Sequence, residues 1–315
     1  MSYNLSQIRI LWEIASDGLQ FANITSSSEQ IIGDFSVSNI KSDIIEQVWR
    51  AKSATQVGST YSPNSVWFVI DCGLKAGSSV TKEVVFDTLA ILNHNLTKSA
   101  KISVWGYGTS NTGSATRDII KSSVALGTGK KIIDGVSPDA DYYDFLWVMP
   151  EEDYAGAKAY RHYLVEITDT NNVDAMPDGT RFIQIGRFVA GAATIFTKEE
   201  NLTSEITYQE VSYKDEVKIN GFTSISNSRS IKKKIRASFK SLNAISNNGN
   251  TNYYNLKRYL RYCRDTLKAL VIIDSRDPYL FYAYGKVSEM PQEQCNYVDD
   301  GALYVSLDVE WDEAK

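Results

Sequence analysis

Two histidines, His94 and His162, and three cysteines, Cys72, Cys263 and Cys295, are the residues of this 315-residue chain best suited to nucleophilic or metal chemistry. A catalytic histidine needs a nucleophile to deprotonate or a carboxylate to orient it. His94 stands in Asn93-His94-Asn95, directly after the apolar run Leu89-Ala90-Ile91-Leu92, and His162 stands in Tyr160-Arg161-His162-Tyr163. No Gly-x-Ser-x-Gly elbow or Cys-Gly motif accompanies either, and no local carboxylate cluster joins them. The expectation for Asn93-His94-Asn95 is therefore structural: short polar side chains at a strand end satisfy turn backbone groups.

The cysteines are odd in number and widely spaced, with no Cys-x-x-Cys or His-x-x-His nearby. Neither a disulfide framework nor a zinc site is expected, and a reducing cytosol is the simpler place of synthesis. The acidic runs Asp139–Asp144, Glu151–Asp153 and Val298–Gly301 lack the spacing of an EF-hand and read as solvated turns. Gly127–Lys131 lacks the full phosphate-loop spacing. No catalytic residue, cofactor or metal is expected.

Charge is more informative than chemistry. The net charge is −5, which gives the whole molecule no attraction to nucleic acid or anionic membrane. Within that total, Arg229–Leu242 alternates: Ile231, Ile235, Ala237 and Phe239 on one face, Lys232, Lys234, Arg236 and Lys240 on the other. In the following segment Tyr253, Leu256, Leu260, Cys263, Leu267 and Leu270 make an apolar helical stripe over about 251–270. Lys257, Arg258, Arg261, Arg264 and Lys268 occupy the rest of that helix. Lys232, Lys234, Arg236, Lys240, Arg258, Arg261 and Arg264 form the candidate inter-subunit interface, facing acidic partners such as the terminal Val305–Lys315 segment.

The elements that must carry these residues are mostly strands. The 43% hydrophobic and 23% charged content is that of a folded protein, and 19 tyrosines suit half-buried sheets and interfaces. No apolar run approaches the ~20 residues that cross a bilayer, and no basic-then-apolar secretory signal opens the chain. Through residue 195 the chain reads as strands over Gln7–Ala15, Val66–Gly73, the runs around Leu89 and Ile102, Tyr143–Pro150, Ala159–Thr168 and Thr180–Gly191. Thr109–Gly135 reads as a long excursion with a short helix near Arg117–Ser123, and residues 201–217 as a polar segment that links or opens a second unit. Strands return at Ala269–Pro278, Phe281–Met290 and Ala302–Glu313. The expected organisation is a β-sandwich over 1–195 and a second, strand-rich domain with one helix over 196–315.

Several stretches together resemble one family. Ile8–Glu13, Ile44–Thr55, Trp67–Gly73, Phe86–Gly108 and Ile183–Gly191 follow the order seen in galactose-binding-like jelly-roll domains. Joined to Phe281–Met290 and Tyr304–Glu313, the whole is similar to tail-tip proteins of long-tailed, siphovirus-like bacteriophages. The resemblance implies a mainly β fold: an N-terminal jelly-roll sandwich plus a C-terminal tail-tube-like sandwich with one flanking helix. It implies a non-enzymatic virion component of the baseplate tube or distal tail, in a six- or three-fold ring continuous with the tail tube. Partners would then be other copies, tail tube, distal tail and hub proteins, with no membrane and no specific nucleic acid. The alternative is a carbohydrate-binding module used in host adsorption, with Trp105, Tyr107 and Trp147 stacking on sugar rings. No residue-by-residue match to a sugar or calcium constellation carries over.

Overall fold

The computed structural model describes residues 8–12, 23–26, 35–42, 47–52, 54–57, 60–63, 65–73, 82–108, 115–139, 144–175, 179–196, 206–219, 222–244, 252–262, 268–275, 277–279, 281–297 and 303–313. The chain forms two compact units, Met1–Trp12 with Ala193–Lys315, and Glu13–Ala192. Strand β1 (Ile8–Leu11) opens the first. The second holds β2 (Asn23–Ser26), β3 (Trp49–Lys52), β4 (Ala54–Val57), β5 (Thr60–Pro63), β6 (Val66–Asp71), β7 (Thr88–His94) and β8 (Lys101–Tyr107). It continues with helix α1 (Arg117–Ala125), β9 (Gly129–Val136), β10 (Phe145–Val148), β11 (His162–Thr168) and β12 (Phe182–Gly191). The first unit resumes with β13 (Thr194–Phe196), β14 (Ile206–Ile219), β15 (Phe222–Asn243), α2 (Asn252–Tyr262), β16 (Ala269–Ile272), β17 (Tyr282–Val287), β18 (Gln294–Tyr297) and β19 (Leu303–Glu313). The fold is mainly β, and its strand ladders are antiparallel.

The unit of residues 13–192 is a β-sandwich. A four-stranded sheet, β10-β7-β12-β3, faces a five-stranded sheet, β2-β6-β11-β8-β9. Trp49, Ile91 and Phe188 from one meet Phe68, Val104, Tyr163 and Val165 from the other in a single core. Phe68 locks the layers, its ring edge-on to Trp49 at 5.5 Å and to Phe188 at 5.1 Å. Such aromatic contacts add about 0.5–1.5 kcal/mol each beyond area burial. The turn at Thr97–Ser99 carries the chain from β7 in one sheet to β8 in the other, so these consecutive strands do not pair.

Strand β6 is apolar on both faces because both are covered. Val66, Phe68 and Ile70 enter the main core, while Val69 joins Trp105, Leu164 and Ile120 of α1 in a second cluster. Helix α1 starts where Thr116 accepts a hydrogen bond from the Ile119 N–H, carries Asp118 in its first turn, and ends before Gly127 at φ +74. It extends two residues beyond the helix expected at Arg117–Ser123. The end of that expected excursion is strand β9 (Gly129–Val136), and its first residues, 109–114, lie outside the described residues.

In the other unit the sheet order is β13-β1-β16-β17-β19-β15-β14, with β18 also paired to β19. Here β1 departs from the expected organisation. Ile10 pairs with Thr194 and with Val271, so the first strand belongs with the C-terminal unit, and the sandwich is inserted between β1 and β13. A four-residue strand joins whichever sheet completes its hydrogen bonds, and these partners lie far downstream of any local signal. Helix α2 covers one face: Leu256, Tyr259 and Leu260 pack with Ile235, Ala237, Phe239, Val309 and Trp311. The Trp311 Nε1–H donates to the Tyr259 hydroxyl at 3.0 Å. Leu270, expected on the helical stripe, lies in β16 opposite Tyr284. A short apolar run fits a helix end and a buried strand equally well.

Candidate functional site

The most unusual feature is backbone. Strand β15 pairs with β19 from Asn243 to Lys234 and no further, yet its pairing with β14 continues to Phe222. From Lys233 to Phe222 the β14–β15 ribbon has no third strand among the described residues. At about 3.3 Å per residue it extends roughly 35–40 Å. A register shift between Tyr213 and Asp215 interrupts it once. A two-stranded ribbon alone in water is marginally stable, and both its edges offer unpaired peptide groups. The strand expected at Arg229–Leu242 is only the later part of β15, and the segment 201–217, expected to link or open a second unit, is from Ile206 onward part of β14. Asn220-Gly221, the strongest two-residue hairpin signal, stands between the two strands and would have located them.

Of the seven cations expected at an interface, the four whose side chains are described, Lys234, Arg236, Arg258 and Arg261, do not lie on one face. On β15, Ile235, Ala237 and Phe239 face α2, so Lys234 and Arg236 lie on the opposite face of the sheet. There Lys234 pairs with Glu310 (3.0 Å) and Asp312 (3.3 Å), and Arg236 with Asp308 (2.9 Å). Glu310 and then Asp312 raise the Lys234 ammonium above its ordinary value. The acidic terminal strand thus meets these cations within the same chain. Arg258 and Arg261 are exposed on the far side of α2, with Arg258 over the Trp12 ring at 5.3 Å. Two amphipathic elements packed by their apolar faces necessarily turn their charged faces apart. Arg264 and the side chains of Lys232 and Lys240 lie outside the described residues.

In the sandwich, the outer face of the five-stranded sheet carries a polar row. Register places Asp71 (β6), His162 (β11) and Tyr107 (β8) side by side. Arg161 donates to Asp71 twice, from Nε to Oδ1 at 2.8 Å and from Nη2 to Oδ2 at 3.0 Å. His162 Nε2 is 3.5 Å from Asp71 Oδ2, and among the described residues neither ring nitrogen of this buried imidazole makes a hydrogen bond. Burial works to raise the Asp71 carboxyl, but His162, Arg161 and the Gly73 N–H outweigh it and hold it well below the usual carboxylate range. Lower on the same face, Glu166 is bound by Lys121 at 2.7 Å and by Arg117, and its carboxyl also sits low despite burial. Trp105 is only 8% exposed, with Lys121 and Lys131 flanking its ring at 5.0 and 5.2 Å. Trp147 is partly buried against the main core. Of the three expected stacking aromatics, Tyr107 alone keeps a partly open ring beside a polar row.

No protein-family model and no curated protein matches the chain. Two solved structures are similar to part of it. One is chitosan-binding module 1 from a chitosanase/glucanase of Paenibacillus sp. IK-5, 10% identical, covering 57% of this chain and 98% of that one, with a TM-score of 0.36. The other is a chain of the Streptococcus pneumoniae beta-galactosidase BgaA, 12% identical, covering 58% and 98%, with a TM-score of 0.35.

The Asn93-His94-Asn95 triplet ends β7 as expected. Leu96 N–H donates to His94 Nδ1 at 3.1 Å, Asn93 N–H to Asp144 Oδ1 at 2.9 Å, and Gln184 N–H to Asn95 Oδ1 at 2.7 Å. Asn93 itself adopts φ 52, a left-handed conformation that asparagine tolerates. Asp169 completes the corner by accepting from both the N–H and the hydroxyl of Thr97. Cys72 is buried, which pushes its thiol up to about 12, and Cys295 is exposed; both are free, while Cys263 lies outside the described residues. Among the described residues no group of three or more His, Cys, Asp or Glu could hold a metal.

Proposed function

We propose that the chain is a non-enzymatic structural component of a bacteriophage tail tip, a baseplate-tube or distal-tail protein assembling with its own copies as a ring. The observation that carries this reading is the β14–β15 ribbon. Beyond Lys233 the ribbon pairs with no third strand among the described residues, and a strand or sheet edge of a neighbouring subunit would complete it. A ring contact is heterologous: the ribbon of one copy meets a different surface on the next. The resemblance of Phe281–Met290 and Tyr304–Glu313 to tail-tip proteins supplies the tail context, and the ring would sit at the virion's tail end. The sandwich is then a structural decoration. Immunogold electron microscopy of intact particles tests the assignment. The expected result is label at the tail tip in three- or six-fold amounts; label confined to lysed host cytosol contradicts it.

A second reading is supported by the row of Tyr107, His162 and Asp71: the sandwich is a carbohydrate-binding module used in host adsorption. A partly open aromatic ring held beside a fixed polar row offers a stacking face for the C–H surface of a sugar. A glycan array compared between the native chain and Tyr107→Ala tests it, with binding lost in the variant as the expected result.

A further inference from the structure

The phase of the hydrogen bonds in the β14–β15 ribbon is fixed at its base. The Lys233 N–H donates to the Glu313 carboxylate of β19 at 2.9 Å. The peptide groups of Lys233 therefore point away from β14, because successive strand residues turn their N–H and C=O to opposite sides. The same alternation turns the peptide groups of Ile231, Ile225 and Thr223 outward. The register shift keeps this phase: β15 advances from Ser230 to Ser226 while β14 advances from Tyr213 to Asp215, an even step on both strands. On β14 the residues opposite, Ser212, Glu216 and Lys218, turn their peptide groups to the other edge of the ribbon. Among the described residues no strand takes up the outer edge of β14, and none takes up that of β15 before Lys234.

We propose that these two edges take each other: β14 of one copy pairs with the outer edge of β15, Phe222–Lys232, of the next copy. The edges match in length, since β14 runs for 14 residues and its partner β15 is open over almost the whole of the paired stretch beyond β19. They match in direction, since alternating β14 and β15 strands stay antiparallel from copy to copy. A contact between two β14 edges would leave both β15 edges open. Pairing β14 with β15 is heterologous and repeats until the ribbons close on themselves, two strands from each copy and no edge left. This inference rests on the reading that copies of the chain assemble with one another, and it adds which edges meet.

Sedimentation velocity on the full chain and two full-length variants tests the proposal. Glu216→Pro removes an outward N–H from the edge of β14, and Ile225→Pro removes one from the edge of β15. Proline at such positions spares the hydrogen bonds within the ribbon. The expected result is a multimer for the native chain and a single subunit for each variant alone, at concentrations where the native chain is assembled. Mixed together, the two variants should form pairs and nothing larger, because each keeps the one edge that the other lacks. A native multimer with either variant assembling alone as the native chain does, or with no pairs in the mixture, overturns this contact and leaves the assembly reading standing. A native chain that stays a single subunit overturns both.

Discussion

Arg161 grips Asp71 through two parallel hydrogen bonds, at 2.8 and 3.0 Å, at the end of the sandwich's five-stranded sheet. Both side chains are largely buried, so the pair is costly to break from one side. Arg161→Ala strands a carboxylate in a desolvated site and should cost about 3–5 kcal/mol at neutral pH. Urea unfolding of the sandwich transition measures it. Because the Asp71 carboxyl is depressed in the folded state, its contribution is present above the unfolded value of about 3.9 and is lost as pH falls below it. The stability gap between native protein and Asp71→Asn should therefore narrow from about pH 4 downward.

His94 gives the opposite lesson in acid. Its Nδ1 accepts the Leu96 N–H, and burial depresses its pKa despite nearby Asp144 and Asp169. The neutral ring is the folded form. As pH falls through the unfolded value of about 6.5, the unfolded chain binds a proton that the folded one resists, and stability declines. Thermal unfolding between pH 7.5 and 5 should show this slope in the native chain and a flatter one in His94→Gln.

The α2-bearing unit makes two packing predictions. Trp311→Phe keeps most of the buried ring but removes the bond to Tyr259, for a loss of about 1 kcal/mol. Gly285 lies so close to β19 that a Cβ there would fall 2.0 Å from the Asp312 carbonyl oxygen. Gly285→Ala should force β17 from β19 and cost about 1–3 kcal/mol or more, read as a lowered denaturation midpoint.

Strands with a strong period were legible in the sequence. The alternation of Ile235, Ala237 and Phe239 with Lys234 and Arg236 correctly separates core from surface, and Val66–Asp71 reads correctly as a strand covered on both faces. Placement was not legible where it depends on distant partners. Ile8–Leu11 carries no mark that its neighbours are β13 and β16. Nor does the charge pattern reveal that Arg236 meets Asp308 on one face while Arg258 stands beyond the helix on the other. Asp71, Arg161 and His162 converge only because β6 and β11 pair in one particular register.

Light scattering of purified protein at rising concentration tests the ribbon's role most directly, with the full chain compared with a variant in which residues 212–229 are replaced by a Gly-Asn turn. The account predicts a closed multimer for the full chain and a folded single subunit for the shortened one. A full-length chain that stays a single subunit throughout, or a shortened chain that assembles as readily, contradicts it.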